Sequence, residues 1–145
     1  MFKMNIKYME IAFAEAKKAY KLGEMPVGAI VVKNGKIIGK GYNKKEKKKN
    51  ALMHAEIIAI NKACKKNKDW RLNDCEMYVT LEPCMMCMGA IVESRIKKVY
   101  CGIVNKKSHL YNQKICGDEK IDIRYGVLEN DITIQVKNFF YSIRN

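Results

Sequence analysis

Along the first twenty residues, apolar side chains return every three or four positions: Met9, Ala12, Phe13, Ala16, Ala19 and Tyr20. That spacing places them on one face of a helix. Asn5 suits its N-cap, and Gly23 suits the position past its C-cap. The period then changes. Gly28 to Lys33 and Lys36 to Tyr42 are short apolar runs separated by Asn34-Gly35, a strong hairpin signal. A second helical run covers about Ala51 to Lys66, with Asn50 as its predicted N-cap and Lys65, Lys66 and Lys68 suiting its C-terminal end. Glu76 to Thr80 reads as a strand, Pro83 to about Arg95 as a helix, and Lys98 to Gly102 as a strand. This βαβ order argues for parallel pairing. Asn105 to Glu119 is polar and reads as irregular. Ile121 to Leu128 is a candidate fifth strand, weakened by Arg124 and Gly126, and Asp131 to Ser142 reads as a last helix capped by Asp131. The expected class is α/β, a three-layer α/β/α arrangement around a mixed five-stranded sheet. An antiparallel hairpin lies on one side of it and parallel strands follow. Neither a repeat nor a linker interrupts the pattern.

Length and composition narrow the picture without changing it. A chain of 145 residues, 48% hydrophobic and 30% charged, suits one globular domain spanning 1–145. No stretch is long and apolar enough for a membrane span, and the N-terminus is amphipathic without a signal-peptide core, so a cytoplasmic protein with no membrane partner is expected. In that compartment six cysteines read as metal ligands or reduced thiols. The net charge of +13 predicts attraction to a polyanion, with nucleic acid the leading candidate. Compositional drift in a lysine-rich genome accounts for the same excess equally well. Lys44 to Lys49 is a charged loop between strand and helix, expected at the rim of any site near His54. Trp70 is expected to fill a hydrophobic seam, and Met85, Met86 and Met88 to fill core.

The chemistry concentrates in two short stretches. Cys84 and Cys87 follow Pro83 and stand three apart, so on a helix they point the same way. At a helix start they face the positive end of the dipole, which favours thiolate. Upstream, His54 supplies an imidazole nitrogen, and Glu56 is two residues on. Positions i and i+2 do not share a helix face, so both side chains reach one point only if His54 lies at the very start of its helix. One histidine and two cysteines make three ligands, one short of a structural zinc site and right for a catalytic one. Cys64 is a poor fourth ligand, about 15 Å along the helix from His54 at 1.5 Å per residue. Cys75 lies at the far end of the strand leading to Pro83. Zinc with an open position beside an unliganded carboxylate is equipment for hydrolysis.

H-x-E followed by P-C-x-x-C is the signature of zinc-dependent nucleobase deaminases. On these residues the chain resembles the cytidine deaminase superfamily, and within it the bacterial tRNA-specific adenosine deaminases. The resemblance runs over nearly the whole chain: Glu24-Met-Pro-Val-Gly-Ala29 is similar to the family's first loop and Gly41-Tyr42-Asn43 to its base-contacting segment. Asp69-Trp-Arg-Leu72, Tyr78-Val-Thr-Leu-Glu-Pro-Cys84, Gly89-Ala90, Ser94-Arg95-Ile96 and Phe139-Phe140 also match. It departs in two places. Asn105 stands where the family has aspartate in a glycine-containing loop that here carries His109, and Asn50 to Met53 replaces the family's Asp-Pro-Thr-Ala.

The resemblance implies a zinc hydrolase, a tRNA adenosine deaminase, with His54, Cys84 and Cys87 holding Zn2+ and Glu56 as the catalytic acid and base. It implies substrate contacts from Asn43, Glu24, Pro26, Ala55 and Asn105, and from Phe139, Phe140 and Arg144 of a last helix bordering the anticodon stem-loop. It implies adenosine at the wobble position as substrate, tRNA as partner and a homodimer as the assembly. The cysteine helix, apolar from Met85 to Val92 with Gly89 and Ala90 in it, suits burial on more than one side. Two other readings stay open: a guanine, cytidine or deoxycytidylate deaminase with the same signature, and a zinc-stabilised RNA-binding module without activity.

Overall fold

In the computed structural model, residues 4–144 are described, the side chain of Arg144 excepted. Helix α1 (Ile6–Lys21) leads into the hairpin β1 (Gly28–Lys33) and β2 (Lys36–Tyr42), then α2 (Ala55–Asn67), β3 (Cys75–Leu81), α3 (Met85–Glu93), β4 (Lys98–Ile103), α4 (His109–Glu119), β5 (Asp122–Arg124) and α5 (Glu129–Arg144). The sheet runs β2-β1-β3-β4-β5. β1 is antiparallel to both β2 and β3, while β3, β4 and β5 are parallel.

Period-two alternation splits the strands between two cores. Ala29 and Val31 of β1, with Met77 and Val79 of β3, face α2, α3 and α4. Ile30 and Val32, with Tyr78 and Tyr100, face α1 and α5. The expected three layers and mixed five-stranded sheet are therefore present. Asn5 caps α1, its side chain accepting from the Lys7 amide, and Gly23 follows the C-cap with φ +76°. The Asn34-Gly35 turn has φ of 49° and 74°, as a two-residue hairpin requires.

Several boundaries differ from the pattern. α2 begins at Ala55 with His54 as N-cap, not at Ala51 behind Asn50. The Asn50 side chain accepts from the Leu52 amide instead, within a loop. The last helix starts at Glu129, so Asp131 lies inside its first turn. Residues 109–119 form a helix where an irregular segment was expected. The inner face of α4 carries the buried Asn112 beside Cys116, so its burial leaves no apolar stripe to read. The fifth strand is only Asp122–Arg124. Trp70 fills no seam: it is 49% exposed, with the guanidinium groups of Arg71 and Arg95 at 4.5 and 5.3 Å from its ring. Met88 is core, but Met85 is exposed.

Candidate active site

α2 is held close to the sheet at its metal-facing end. A Cβ at Gly41 would stand 2.5 Å from the Ala55 carbonyl oxygen, and one at Gly39 would stand 2.2 Å from that of Ala59. Only glycine admits a helix backbone this near to β2. The contact brings the first turn of α2 over the end of the strands that also carry α3.

His54, as N-cap, has extended backbone (φ −81°, ψ 155°) and thus lies off the helical path followed by Glu56. This is the condition under which residues i and i+2 serve one site. Cys84 is likewise the N-cap of α3, with φ −71° and ψ 175°, and Cys87 lies in the first turn. His54 Nδ1 lies 3.6 Å from Cys84 Sγ and 3.5 Å from Cys87 Sγ. Zinc with Zn–S of about 2.3 Å and Zn–N of about 2.0–2.1 Å sets tetrahedral N···S edges of about 3.5 Å. The cluster therefore fits zinc in spacing as well as donor type, and among the described residues it is the group of this kind able to hold a metal ion.

The electrostatics suit that role. A hydrogen bond from Cys87, with the His54 ring nearby, brings Cys84 down to about 4 despite its burial. The same hydrogen bond, added to burial, pushes Cys87 up. Bonding with Cys84 raises His54. Glu56 is 3% exposed, and burial pushes its carboxyl up to about 7, with Cys84 adding to the rise. Glu56 stands beside the cluster without being one of its three donors.

The cluster opens into a cavity of about 440 Å³. Glu24, Asn43, Ala55, Asn105 and Phe139 line it, together with His54, Glu56 and Cys84. Pro26 and Phe140 do not: Pro26 is buried within the first loop, and Phe140 is exposed and meets Phe139 edge to face at 5.6 Å. The Arg144 side chain falls outside the described residues. Met25, Lys45, Glu46, Leu81, Glu82 and Ile143 also contribute to the wall. For Glu82 a sequence signal existed, a carboxylate between the end of a strand and Pro83.

Two buried carboxylates organise the rim. Glu24, 1% exposed, accepts from the backbone amides of Glu46 and Lys47 at 3.0 and 2.6 Å, so it pins the lysine-rich loop. Asn43 donates from Nδ2 to the Met25 carbonyl at 3.3 Å and accepts from the Lys45 amide at 3.1 Å. This leaves one N–H and one lone pair of its amide for another partner. On the other side Glu82 accepts from the Asn105 amide at 3.0 Å.

Residues 3–103 match the family profile of the cytidine and deoxycytidylate deaminase zinc-binding region. A tRNA-specific adenosine deaminase of Rickettsia bellii is 43% identical, over 94% of this chain and 100% of its own length. Among solved structures, one from a study of A-to-I editing by tRNA:A34 deaminases at the wobble position of transfer RNA superposes with a TM-score of 0.83 at 32% identity, covering 90% of this chain and 99% of that one. A guanine deaminase from Bacillus subtilis is 33% identical with a TM-score of 0.67, over 82% of this chain and 72% of that one.

Proposed function

The chain belongs to the cytidine and deoxycytidylate deaminase family, and from that membership we propose that it converts adenosine to inosine at the wobble position of tRNA anticodons. It is a deaminase and a hydrolase, and zinc is its cofactor. The observation that carries the reaction class is the three-donor cluster with a buried, unliganded Glu56 beside it at the floor of an open cavity. The substrate rests on the relatives, since similarity to the tRNA-specific enzyme extends over nearly the whole of both chains.

His54, Cys84 and Cys87 hold the ion, which when bound supplies the Lewis acidity that makes water a nucleophile at neutral pH. Glu56 takes a proton from that water and delivers it to a ring nitrogen of the adenine. Oxygen bonds to the amino-bearing carbon. Glu56 then passes the second water proton to the amino group, the C–N bond breaks, ammonia leaves, and a carbonyl remains. The high affinity of buried Glu56 for a proton suits a group that must both accept and return one. Asn43 holds the base edge with the donor and acceptor that its loop contacts leave free. Glu24 and Asn105 shape the rim, Ala55 and Phe139 supply apolar wall, and Phe140 borders the loop of the RNA outside the cavity, while Arg144 keeps only the RNA contact that the resemblance implies. An anticodon loop presents unstacked bases, so a flipped adenine enters at lower cost than from a duplex.

The charge of +13 and the presence of Lys45 in the cavity wall support a polyanionic substrate. No helix among the described residues is long and apolar enough to cross a membrane. All six cysteines are unpaired, which supports a reducing cytoplasmic setting. A homodimer is the assembly we favour, because Met85 is 59% exposed, Leu110 is 85% exposed, and a Cβ at Gly89 would meet nothing within 4 Å. Light scattering at micromolar concentration that gives a monomer mass would count against it.

The deciding experiment incubates zinc-loaded protein with an anticodon stem-loop bearing adenosine at the wobble position, beside guanine, cytidine and deoxycytidylate. Inosine in the stem-loop with little turnover of the small molecules is expected. Rapid turnover of a free base with untouched RNA would replace this reading by the small-molecule one.

A further inference from the structure

Glu82 directly follows β3 and is 1% exposed, yet no step of the reaction uses it. It accepts from every direction. The Asn105 amide donates to Oε1 at 3.0 Å, and His109 Nδ1 lies 3.0 Å from Oε1 and 3.2 Å from Oε2. Asn112 Nδ2 donates to Oε2 at 3.1 Å and the Tyr125 hydroxyl at 2.9 Å. A buried carboxylate is costly unless it is bonded in this way. The donors come from the loop after β4, from α4 and from the segment after β5, so one side chain gathers three parts of the chain.

The same donors reach the metal-bearing turn. Asn112 Nδ2 also donates to the Pro83 carbonyl at 2.8 Å, and Ser108 Oγ donates to it at 2.9 Å. Pro83 precedes the ligand Cys84. Asn112 is wholly buried and spends its amide N–H groups on these two acceptors, while its Oδ1 has no hydrogen-bond partner among the described residues. An amide that leaves its oxygen stranded is oriented by the acceptors it must serve.

We propose that Glu82 is a positioning residue that locks the Asn105 wall of the cavity to the Pro83-Cys84 turn, with His109 Nδ1 as one of its hydrogen-bond partners. It is not one of the three metal donors, and although it lines the cavity its carboxylate oxygens are taken up by these partners, so it acts through Asn105, Asn112 and the turn. Glutamine at this position would turn an NH2 group toward donors, so Glu82→Gln breaks the lock while keeping the volume. His109→Gln keeps a polar side chain and removes the imidazole contact to both carboxylate oxygens. Tyr125→Phe removes one donor.

The test has two arms. The first measures zinc transfer from the loaded protein to a chromogenic chelator, well below the melting temperature. Outer-shell changes commonly cost about 10–100-fold in metal affinity or activity, and Glu82→Gln is expected to speed zinc release by a factor in that range. The second arm rests on the deaminase reading above and measures KM and kcat on the stem-loop. KM is expected to rise several-fold in Glu82→Gln, and the Glu82→Gln/His109→Gln double variant to lose little more than Glu82→Gln alone, because both act through one contact. A residue that merely supports the fold would lower the melting temperature and leave both readouts unchanged, and that result overturns the proposal. If Glu82→Gln does not fold, His109→Gln and Tyr125→Phe decide, with smaller changes of the same kind expected and unchanged zinc release in both overturning it. An unmutated protein inactive on the stem-loop overturns the functional reading instead, and the zinc arm still decides the role of Glu82.

Discussion

The two sides of the cavity are built by different means. The metal side comes from the starts of α2 and α3, where His54 and Cys84 are both N-caps and Cys87 is one turn in. Regular structure sets those positions, through glycine contacts at Gly39 and Gly41 and the parallel pairing of β3 with β4. The rim comes from irregular segments, 43–53 and 104–108, that belong to neither hydrophobic core. Here a buried carboxylate takes the place of a core: Glu24 accepts from two backbone amides of the first segment and Glu82 from one of the second. The difference teaches that catalytic geometry can be written into helix starts, while the shape of the mouth depends on a few charge-assisted hydrogen bonds.

The largest effects should come from the metal side. Cys87→Ala is expected to lose both zinc and activity, read by metal analysis and ammonia release. Glu56→Ala should retain about one zinc per chain and lose activity by a factor on the order of 10² or more, as removal of a general acid–base does. Zinc loss from Glu56→Ala would show that the carboxylate belongs to the ligand set.

Breaking the rim should act on binding. Glu24→Gln places an NH2 group against the Glu46 and Lys47 amides, freeing the lysine loop, and is expected to raise KM for the stem-loop several-fold with zinc content unchanged. Equal losses in kcat and zinc would abolish the distinction between the two sides. A weaker effect is expected from neutralising Lys45, Lys47 and Lys48 together. It should flatten the dependence of RNA affinity on salt, by roughly 0.7 in log–log slope for each single-strand phosphate that is no longer neutralised. An unchanged slope would return the loop to a solvated turn.

The smallest effect concerns a further buried carboxylate, Glu76, which lies away from both sides and lacks a partner at Oε2 among the described residues. Burial raises its pKa, opposed by Lys98, its neighbour across the β3–β4 ladder. Tyr78 and Tyr100 also feel its charge. A raised folded-state pKa means the native protein binds the proton more tightly than the unfolded chain. The resulting stability is fully present below the unfolded value and is lost as pH rises through the folded one. Glu76→Gln should therefore gain melting temperature relative to the parent as pH rises from 4 to 7, a trend opposite to acid-induced destabilisation. A gap that does not widen would show that Glu76 keeps a stabilising charge.

Much of this architecture was legible in the residues. Alternating apolar positions, the Asn34-Gly35 turn and the βαβ order carried the sheet, and the 54–56 and 83–87 spacings carried the metal cluster. These signals are local, because strand period, turn chemistry and helix-start geometry are decided within a few residues. Even the requirement that His54 begin its helix followed from the i, i+2 spacing to Glu56. What tertiary structure alone decided is long-range and polar. α4 has no apolar stripe because its inward face answers Glu82 with Asn112 and His109, and a helix of that kind has no period to read. Asn50 looked like a cap, yet the close approach of α2 to Gly41 fits a start at Ala55. Trp70 looked like core, yet two arginines distant from each other in sequence meet its exposed ring. A hydrogen bond to a backbone amide needs no particular residue type at the donor, so the segments held by Glu24 and Glu82 carry no mark of it in sequence, and only the folded chain brings the partners together.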